Sequence, residues 1–373
     1  MKIAAPLDRT PDEPRAAISP DAVKAYLKKG HAVTVEAGVG KGAFIPDASY
    51  DEAGAAIARD AASAVKDADV VLTVRRPSEA VVTALKPGAV VVGMLDPYGE
   101  IAGLEGLAAA KASVFGMELM PRISRAQSMD VLSSQSNLAG YKAVVDAAHH
   151  FTRAFPMMMT AAGTVAPARV FVMGAGVAGL QAIATARRLG AVVSATDVRA
   201  EVAEQVQSLG AKFVFIEGLG DAATAGGYAK ELSDDDKKKQ AALIADHIKT
   251  QDIVITTALI PGRPAPVLIS QEMVESMKPG SVIVDLAAER GGNCAVTEPG
   301  TTVTHKDVLV LGPLNLAGAL AGNASQLYAR NLQNFVDLIS KDGALNLDWD
   351  DEVVSGTGLI RDGEFVHPTF KSR

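Results

Sequence analysis

Gly174, Gly176 and Gly179 stand at the spacing G-x-G-x-x-G, and Asp197 follows about 20 residues on. In a dinucleotide site each position has a task. The first glycine permits a tight turn, the second lets the backbone approach a pyrophosphate, and the third lets a helix pack closely on its strand. A helix opening there offers free N–H groups and the positive end of its dipole to phosphates. A carboxylate at the end of the next strand accepts hydrogen bonds from the ribose of NAD and repels the 2′-phosphate of NADP. In a chain with 34 glycines the motif alone is weak, and the same residues would serve as a glycine turn of an ordinary α/β domain. The surroundings favour the dinucleotide: residues 169–173 form an apolar strand pattern, residues 177–189 carry helical spacing, and residues 192–196 form a second strand ending at Asp197.

A second group lies at Arg122, Arg125, Gln127, Asp130 and Ser133, close together after an extended run. That is where α/β folds carry site residues; the same residues would also stabilise a turn between domains. Tyr228 follows Gly226 and Gly227, and an aromatic on a glycine hinge can close over a ligand. The charges at 234–239 beside it read as a solvated insertion. Cys294 is the single cysteine, which excludes an internal disulfide, fits a reducing compartment and is read as a packing residue. Asp and Glu lack ligand spacing, so no metal is expected, and His149-His150 reads as a helix-surface pair. Met157-Met158-Met159 is expected to fill core, with a subunit contact as the alternative.

The elements that must position these groups follow from the patterning. Strands at 2–5, 31–36, 69–74, 89–92 and 113–118 alternate with helices such as 21–29, entered at Ser19-Pro20, and 102–111. Such alternation implies parallel strands covered by helices, a doubly wound domain. The glycines at 38–42 lack the ending of a P-loop and read as a turn. A helix over 134–155 leads to a second α/β half with strands at 169–173, 192–196, 212–216, 252–257, 281–286 and 308–311. A helix over 325–339 returns to the first half, and residues 352–367 alternate around Asp362-Gly363, a hairpin signal. The expectation is two doubly wound parallel-sheet α/β domains with a cleft between them: residues 1–133 plus 326–373, and residues 134–325. The composition, 48% hydrophobic and 21% charged, is that of a globular protein, and the net charge of −7 argues against nucleic acid. No run nears the roughly 20 apolar residues of a membrane span, and the first residues lack a signal-peptide core, so membrane work would run through a partner.

The stretch MELMPRISRAQSMDVLSSQSNLAGY (117–141) closely resembles the family of NAD(H)-binding α subunits of proton-translocating NAD(P) transhydrogenases. So do TAAGT at 160–164, the glycine loop with its TDVR, AGGYAKE at 225–231, TTALIPGRPAPVLI and MKPGSVIVDLA. The wider superfamily includes alanine dehydrogenase, which shares the N-terminal pattern with Arg15. The resemblance implies two Rossmann-like domains and direct hydride transfer from NADH here to NADP⁺ on a separate NADP(H)-binding component. A membrane-spanning component would couple the transfer to proton translocation, and the chain would be a homodimer held peripherally on the cytoplasmic face. It places Arg122, Gln127, Asp130 and Ser133 against the nicotinamide, with an Arg122–Asp130 ion pair shaping the loop and Gln127 positioning the carboxamide. Ile123, Ser124, Arg125, Ser128 and Met129 complete that loop, and Tyr228 closes over the nucleotide. Val177, Asp197, Val198, Arg199, Gly227, Gln240 and Leu259 would line the rest of the site. Residues 312–322 depart from the family pattern, which leaves their role open.

The alternative within the superfamily is an alanine dehydrogenase-like enzyme, whose chemistry needs an acid/base group. Its His, Lys and Asp positions here are Asp96, Arg75 and Glu289, and an Arg cannot readily trade protons. A third reading is a non-catalytic NAD(H) sensor that binds a partner according to redox state.

Overall fold

The computed structural model describes residues 1–99, 102–215 and 234–371. The chain forms two compact units, Met1–Gln135 with Ala317–Arg373, and Ser136–Leu316. The division falls within the Val131–His150 helix, the expected connector.

The first unit is built on an eight-stranded sheet. Lys2–Ala5 lies inside it, parallel to Ala32–Glu36 on one side and to Val70–Leu72 on the other. Ala56–Ala58 extends the first side; Val90–Gly93 and Ser113–Gly116 extend the second, all in parallel. Val70, Val71, Leu72, Val90, Val91 and Val92 are fully buried. A sheet covered by helices on both faces requires such unbroken apolar runs. The Pro20–Lys28 helix starts as expected, with Ser19 Oγ accepting the Ala22 N–H at 3.2 Å. Tyr328, Leu332 and Phe335 of the Ala321–Leu338 helix enter the same core as Val70 and Phe115.

Residues 352–357 differ from the expected alternation. They form the Glu352–Thr357 helix, because Asp351 caps it by accepting the Val353 N–H at 2.7 Å. The expected hairpin starts after it: Gly358–Arg361 pairs antiparallel with Glu364–Phe365 across Asp362 and Gly363, both with positive φ (49° and 92°). That pair of left-handed residues defines the two-residue turn whose twist suits a hairpin.

The second unit carries a seven-stranded sheet. Its order is Lys212–Phe213, Val192–Thr196, Arg169–Met173, Ile253–Thr256, Val282–Asp285, Val308–Leu311 and Thr302–His305, with only the last antiparallel. The chain therefore winds outward twice from Arg169–Met173, and the winding reverses between this strand and Ile253–Thr256. Cys294 is buried in the core below the sheet, where burial pushes its thiol up to about 11. Met157–Met159 corrects its expectation: the three side chains are 59%, 44% and 75% exposed, on and beside a two-stranded hairpin of Met158–Thr160 and Gly163–Val165. Softness in packing is read from composition, but exposure is decided by what the rest of the chain leaves uncovered.

Candidate functional site

The glycine loop lies at the reversal of the second sheet, where open α/β sheets bind ligands. Gly174 follows the Arg169–Met173 strand with φ +102°, and a Cβ there would stand 2.5 Å from Thr257 Oγ1. A Cβ on Gly179 would stand 1.8 Å from the Gly174 carbonyl oxygen, so the Val177–Arg188 helix rests on the loop with no room for a methyl. Gly176 is different: a Cβ there would meet nothing within 4 Å. Protein packing leaves that position free, and a close backbone approach to a ligand is what its glycine allows. Gly176 is also the N-cap of the 12-residue helix and supplies no side-chain acceptor. The first-turn N–H groups are left for an anion. These residues fit a dinucleotide pyrophosphate.

Asp197, expected to serve ribose hydroxyls, is only 8% exposed, and its carboxylate is already filled. One oxygen accepts the Arg199 N–H and Nε–H, each at 2.9 Å; the other accepts the Ala175 N–H at 2.7 Å and Arg199 Nη2 at 2.9 Å. Four donors occupy the four lone-pair sites of an ionised carboxylate. Asp197 thus ties the glycine loop to the end of the next strand. A ribose hydroxyl would have to displace one of these donors to reach it, and the local charge is that of a neutralised pair. Val198 is half-buried, Val177 and Leu259 are exposed, and Gln240 is half-buried on the Asp234–Ile248 helix. Gly227 and Tyr228 lie outside the described residues.

In the first unit, residues 122–133 form a pinned turn. Ala126 and Met129 are buried in the core, and Ile123 packs against it. The side-chain amides of Asn331 and Asn334 donate to the Ser128 carbonyl at 2.8 and 2.9 Å. Asp130 opens the Val131–His150 helix, accepting the Ser133 N–H at 2.9 Å and the Ser133 hydroxyl at 2.5 Å. Held this way, the turn displays Arg122, Ser124, Arg125, Gln127 and Ser128 to solvent. Arg125 forms a bidentate pair with Asp351 at 2.7 and 2.8 Å, which commits it to the neighbouring helix cap. Met129 and Ile123 therefore support the loop from within.

The three acid/base positions of the dehydrogenase alternative are also engaged. Arg75 Nε donates to Glu13 at 2.9 Å, and its N–H donates to Asp8. Glu13 is held by Arg15 as well; burial alone would raise its pKa, but the two guanidiniums outweigh burial and lower it. Asp96, at φ 48°, donates its N–H to the Glu118 carboxylate. Glu289 accepts the Asn315 N–H at 2.8 Å, which ties it to the divergent segment 312–322.

Sequence reasoning missed Thr257, whose hydroxyl donates to the Gly174 carbonyl at 3.2 Å, and the buried pair Asp285 and Asn293. Their one signal is placement, since Thr257 and Asp285 end or follow strands next to the reversal. Among the described residues no cluster of His, Cys, Asp and Glu could hold a metal, and no helix is long and apolar enough to cross a membrane.

The chain matches the family models described as "Alanine dehydrogenase/PNT, N-terminal domain" over residues 5–139 and "Alanine dehydrogenase/PNT, C-terminal domain" over residues 143–368. It is 55% identical to the first portion of a divided NAD(P) transhydrogenase subunit alpha of Rhodospirillum rubrum, covering 99% of this chain and 98% of that protein. The corresponding protein of Rickettsia prowazekii is 46% identical, over 98% of this chain and 96% of its own length. A solved transhydrogenase structure from Sinorhizobium meliloti superposes with a TM-score of 0.90 at 53% identity, covering 98% of this chain and all of that one.

Proposed function

The chain belongs to the alanine dehydrogenase/PNT family, and from that premise we propose that it is the NAD(H)-binding component of a proton-translocating NAD(P) transhydrogenase. Hydride would pass directly between NADH held here and NADP⁺ held by a partner component, and a membrane-spanning component would couple that transfer to proton movement. Direct hydride transfer needs no general acid or base, only two nicotinamide rings held at near-attack distance. The chain's own task is therefore binding and orientation. Residues 174–179 take the pyrophosphate at the helix N-terminus, and Asp197 with Arg199 frames the ribose end. The displayed loop presents Gln127 and Arg122 to the nicotinamide, with Asp130 and Ser133 fixing where that loop meets its helix. Tyr228 and Gly227 belong to the same reading as a closing loop.

One observation carries the choice within the family. The glycine loop is intact, while the position where amino-acid dehydrogenation would need a proton-carrying lysine holds Arg75, fixed to Glu13 at 2.9 Å. A guanidinium stays protonated and cannot serve as acid or base.

The test mixes the purified chain with a soluble NADP(H)-binding transhydrogenase component, NADPH and an NAD analogue of shifted absorbance. Rapid hydride exchange is expected, slowed about 10²-fold in Gln127→Asn because a small misplacement of the ring is enough to lose the geometry. Tight NADH binding without exchange would favour the sensor reading, and reduction of NAD⁺ with alanine as donor would favour the dehydrogenase.

The same reading takes the chain as a homodimer, peripheral to the membrane through its partners. An isolated two-stranded hairpin is marginal in water. The Met158–Thr160 and Gly163–Val165 strands nonetheless carry Met158, Met159 and Val165 exposed. Exposed Leu189 and Val192 flank Gly190, which abuts Pro156 at the hairpin's base. A second copy is the occupant this apolar arm suits.

A further inference from the structure

Asp285 is fully buried at the end of the Val282–Asp285 strand, and five donors converge on its carboxylate. They are the hydroxyls of Thr256 (3.0 Å) and Thr297 (2.7 Å) and the N–H groups of Ala287 (3.0 Å), Asn293 (2.7 Å) and Cys294 (3.0 Å). A carboxylate this saturated fixes the backbone that supplies its donors. Residues 287–297 are thereby held in one conformation, Asn293 among them.

The Asn293 side chain, also fully buried, turns to a different loop. Its Oδ1 accepts the Ala258 N–H at 3.0 Å, and its Nδ2 donates to the carbonyls of Ala258 (2.9 Å) and Pro266 (2.8 Å). One amide thus spans both ends of residues 258–266, which include exposed Leu259. The preceding residue, Thr257, donates its hydroxyl to the Gly174 carbonyl at 3.2 Å. A continuous path runs from Asp285 through Asn293 and Ala258–Thr257 to the glycine loop. It joins the loops that follow two neighbouring strands at the sheet's reversal point. Only an amide can accept one N–H and donate to two carbonyls here; a carboxylate lacks the donors and a methyl lacks both functions.

We propose that Asn293 is a positioning residue for the nucleotide site: anchored by Asp285, it sets the 258–266 loop and, through Thr257, the glycine loop. This rests on the reading that these two loops hold NAD(H), and it adds a residue that reaches the nucleotide only through others.

The experiment uses the full chain and three readouts: NADH affinity by fluorescence titration, hydrogen exchange at the Ala258 amide, and thermal midpoint. Asn293→Ala is expected to weaken NADH binding about tenfold or more, the scale of buried groups left unpaired, and to speed exchange at Ala258. Ile283→Val, in the core of the same sheet, is expected to lower the midpoint while leaving NADH affinity within about twofold of wild type. Asn293→Asp keeps the shape and tests the chemistry. Relative to wild type it should bind poorly near about pH 8 and recover partially near about pH 5, because a protonated carboxyl can donate one of the lost bonds. It also serves if the alanine variant does not fold. Wild-type affinity in both variants, or undisturbed exchange at Ala258, overturns the proposal. A wild-type chain that fails to bind NADH overturns the underlying reading as well, and the wild-type titration alone identifies that case.

Discussion

Glu118 has one carboxylate oxygen on the Asp96 N–H and the other buried without a hydrogen-bond partner. Burial pushes its pKa up to about 7. The folded value lies above the unfolded one, so between about pH 4.5 and 7 the native chain holds a proton that the unfolded chain has released. Stability contributed by this neutral carboxyl is complete below that window and is lost as pH rises through it, by on the order of 3 kcal/mol. The thermal midpoint should therefore fall across the window, and Glu118→Gln should flatten the fall; a variant with the wild-type slope would show that other groups set it. Glu13 has the opposite sign: Arg15 and Arg75 overcome burial and lower its pKa, so its contribution is lost in acid. Neither state was legible in the sequence, because Glu118 stands in an ordinary-looking MELM and nothing local reports that it will be sealed. The glycines were legible, since their positions follow from backbone space. The role of Asp197 was half legible: its place at the strand end was readable, its saturation by Arg199 and Ala175 was not.

Glycine inside a helix usually weakens it, yet Gly140 lies well within Val131–His150. A Cβ on Gly140 would stand 2.1 Å from the carbonyl oxygen of Ala178, in the first turn of the Val177–Arg188 helix. Two helix backbones meet there, at the first turn of the helix that follows the glycine loop. Gly322, in the first turn of Ala321–Leu338, has nothing nearer than the Ala43 carbonyl at 3.8 Å. The same substitution should act with opposite signs. Gly322→Ala should stabilise by about 0.5–1 kcal/mol, whereas Gly140→Ala should destabilise by about 1–3 kcal/mol through overpacking and weaken NADH binding. Denaturant unfolding and NADH titration check both, and equal signs would refute the packing argument. Elements were legible where a single face or run decides them: Arg169–Met173 and Val192–Thr196 fall where the apolar runs put them. The five- and six-residue helices Ala61–Val65 and Glu79–Ala84 were not, because they are too short to show a period. Residues 352–357 misled because the Asp351 cap, rather than apolar spacing, starts that helix.

In both units the first five strands wind outward from the first in the same order, so strand order alone offers two reversal points for a nucleotide. Side chains distinguish them. In the first unit, the loops after Lys2–Ala5 and Val70–Leu72 enclose only about 10 Å³, room for one water, among Asp8, Arg9, Thr73, Arg76 and Ser78. Arg9 pairs with Glu36 and Asp8 receives the Arg75 N–H, so charges of the chain itself fill the space. In the second unit, the loop after the equivalent strand leaves the space over Gly176 free of protein atoms within 4 Å of where a Cβ would stand. The duplication could be read from alternating strands and helices; the closure of one copy could not, because it depends on an ion pair and a backbone hydrogen bond between residues far apart in sequence. What neither sheet accounts for is the apolar arm at Met158–Val165, which lies outside both. If it is a contact between copies, replacing Met158 and Met159 with lysine should place charges in that contact without touching either sheet. Light scattering should then give the monomer mass at concentrations where the wild type is dimeric, and NADH affinity should stay within about twofold, since an exposed substitution remote from a site leaves it unchanged to within about 0.5 kcal/mol. A doubly substituted chain that remains dimeric would assign the contact to another surface. A chain that becomes monomeric and loses NADH affinity would mean that the second copy helps to hold the nucleotide site in its binding form.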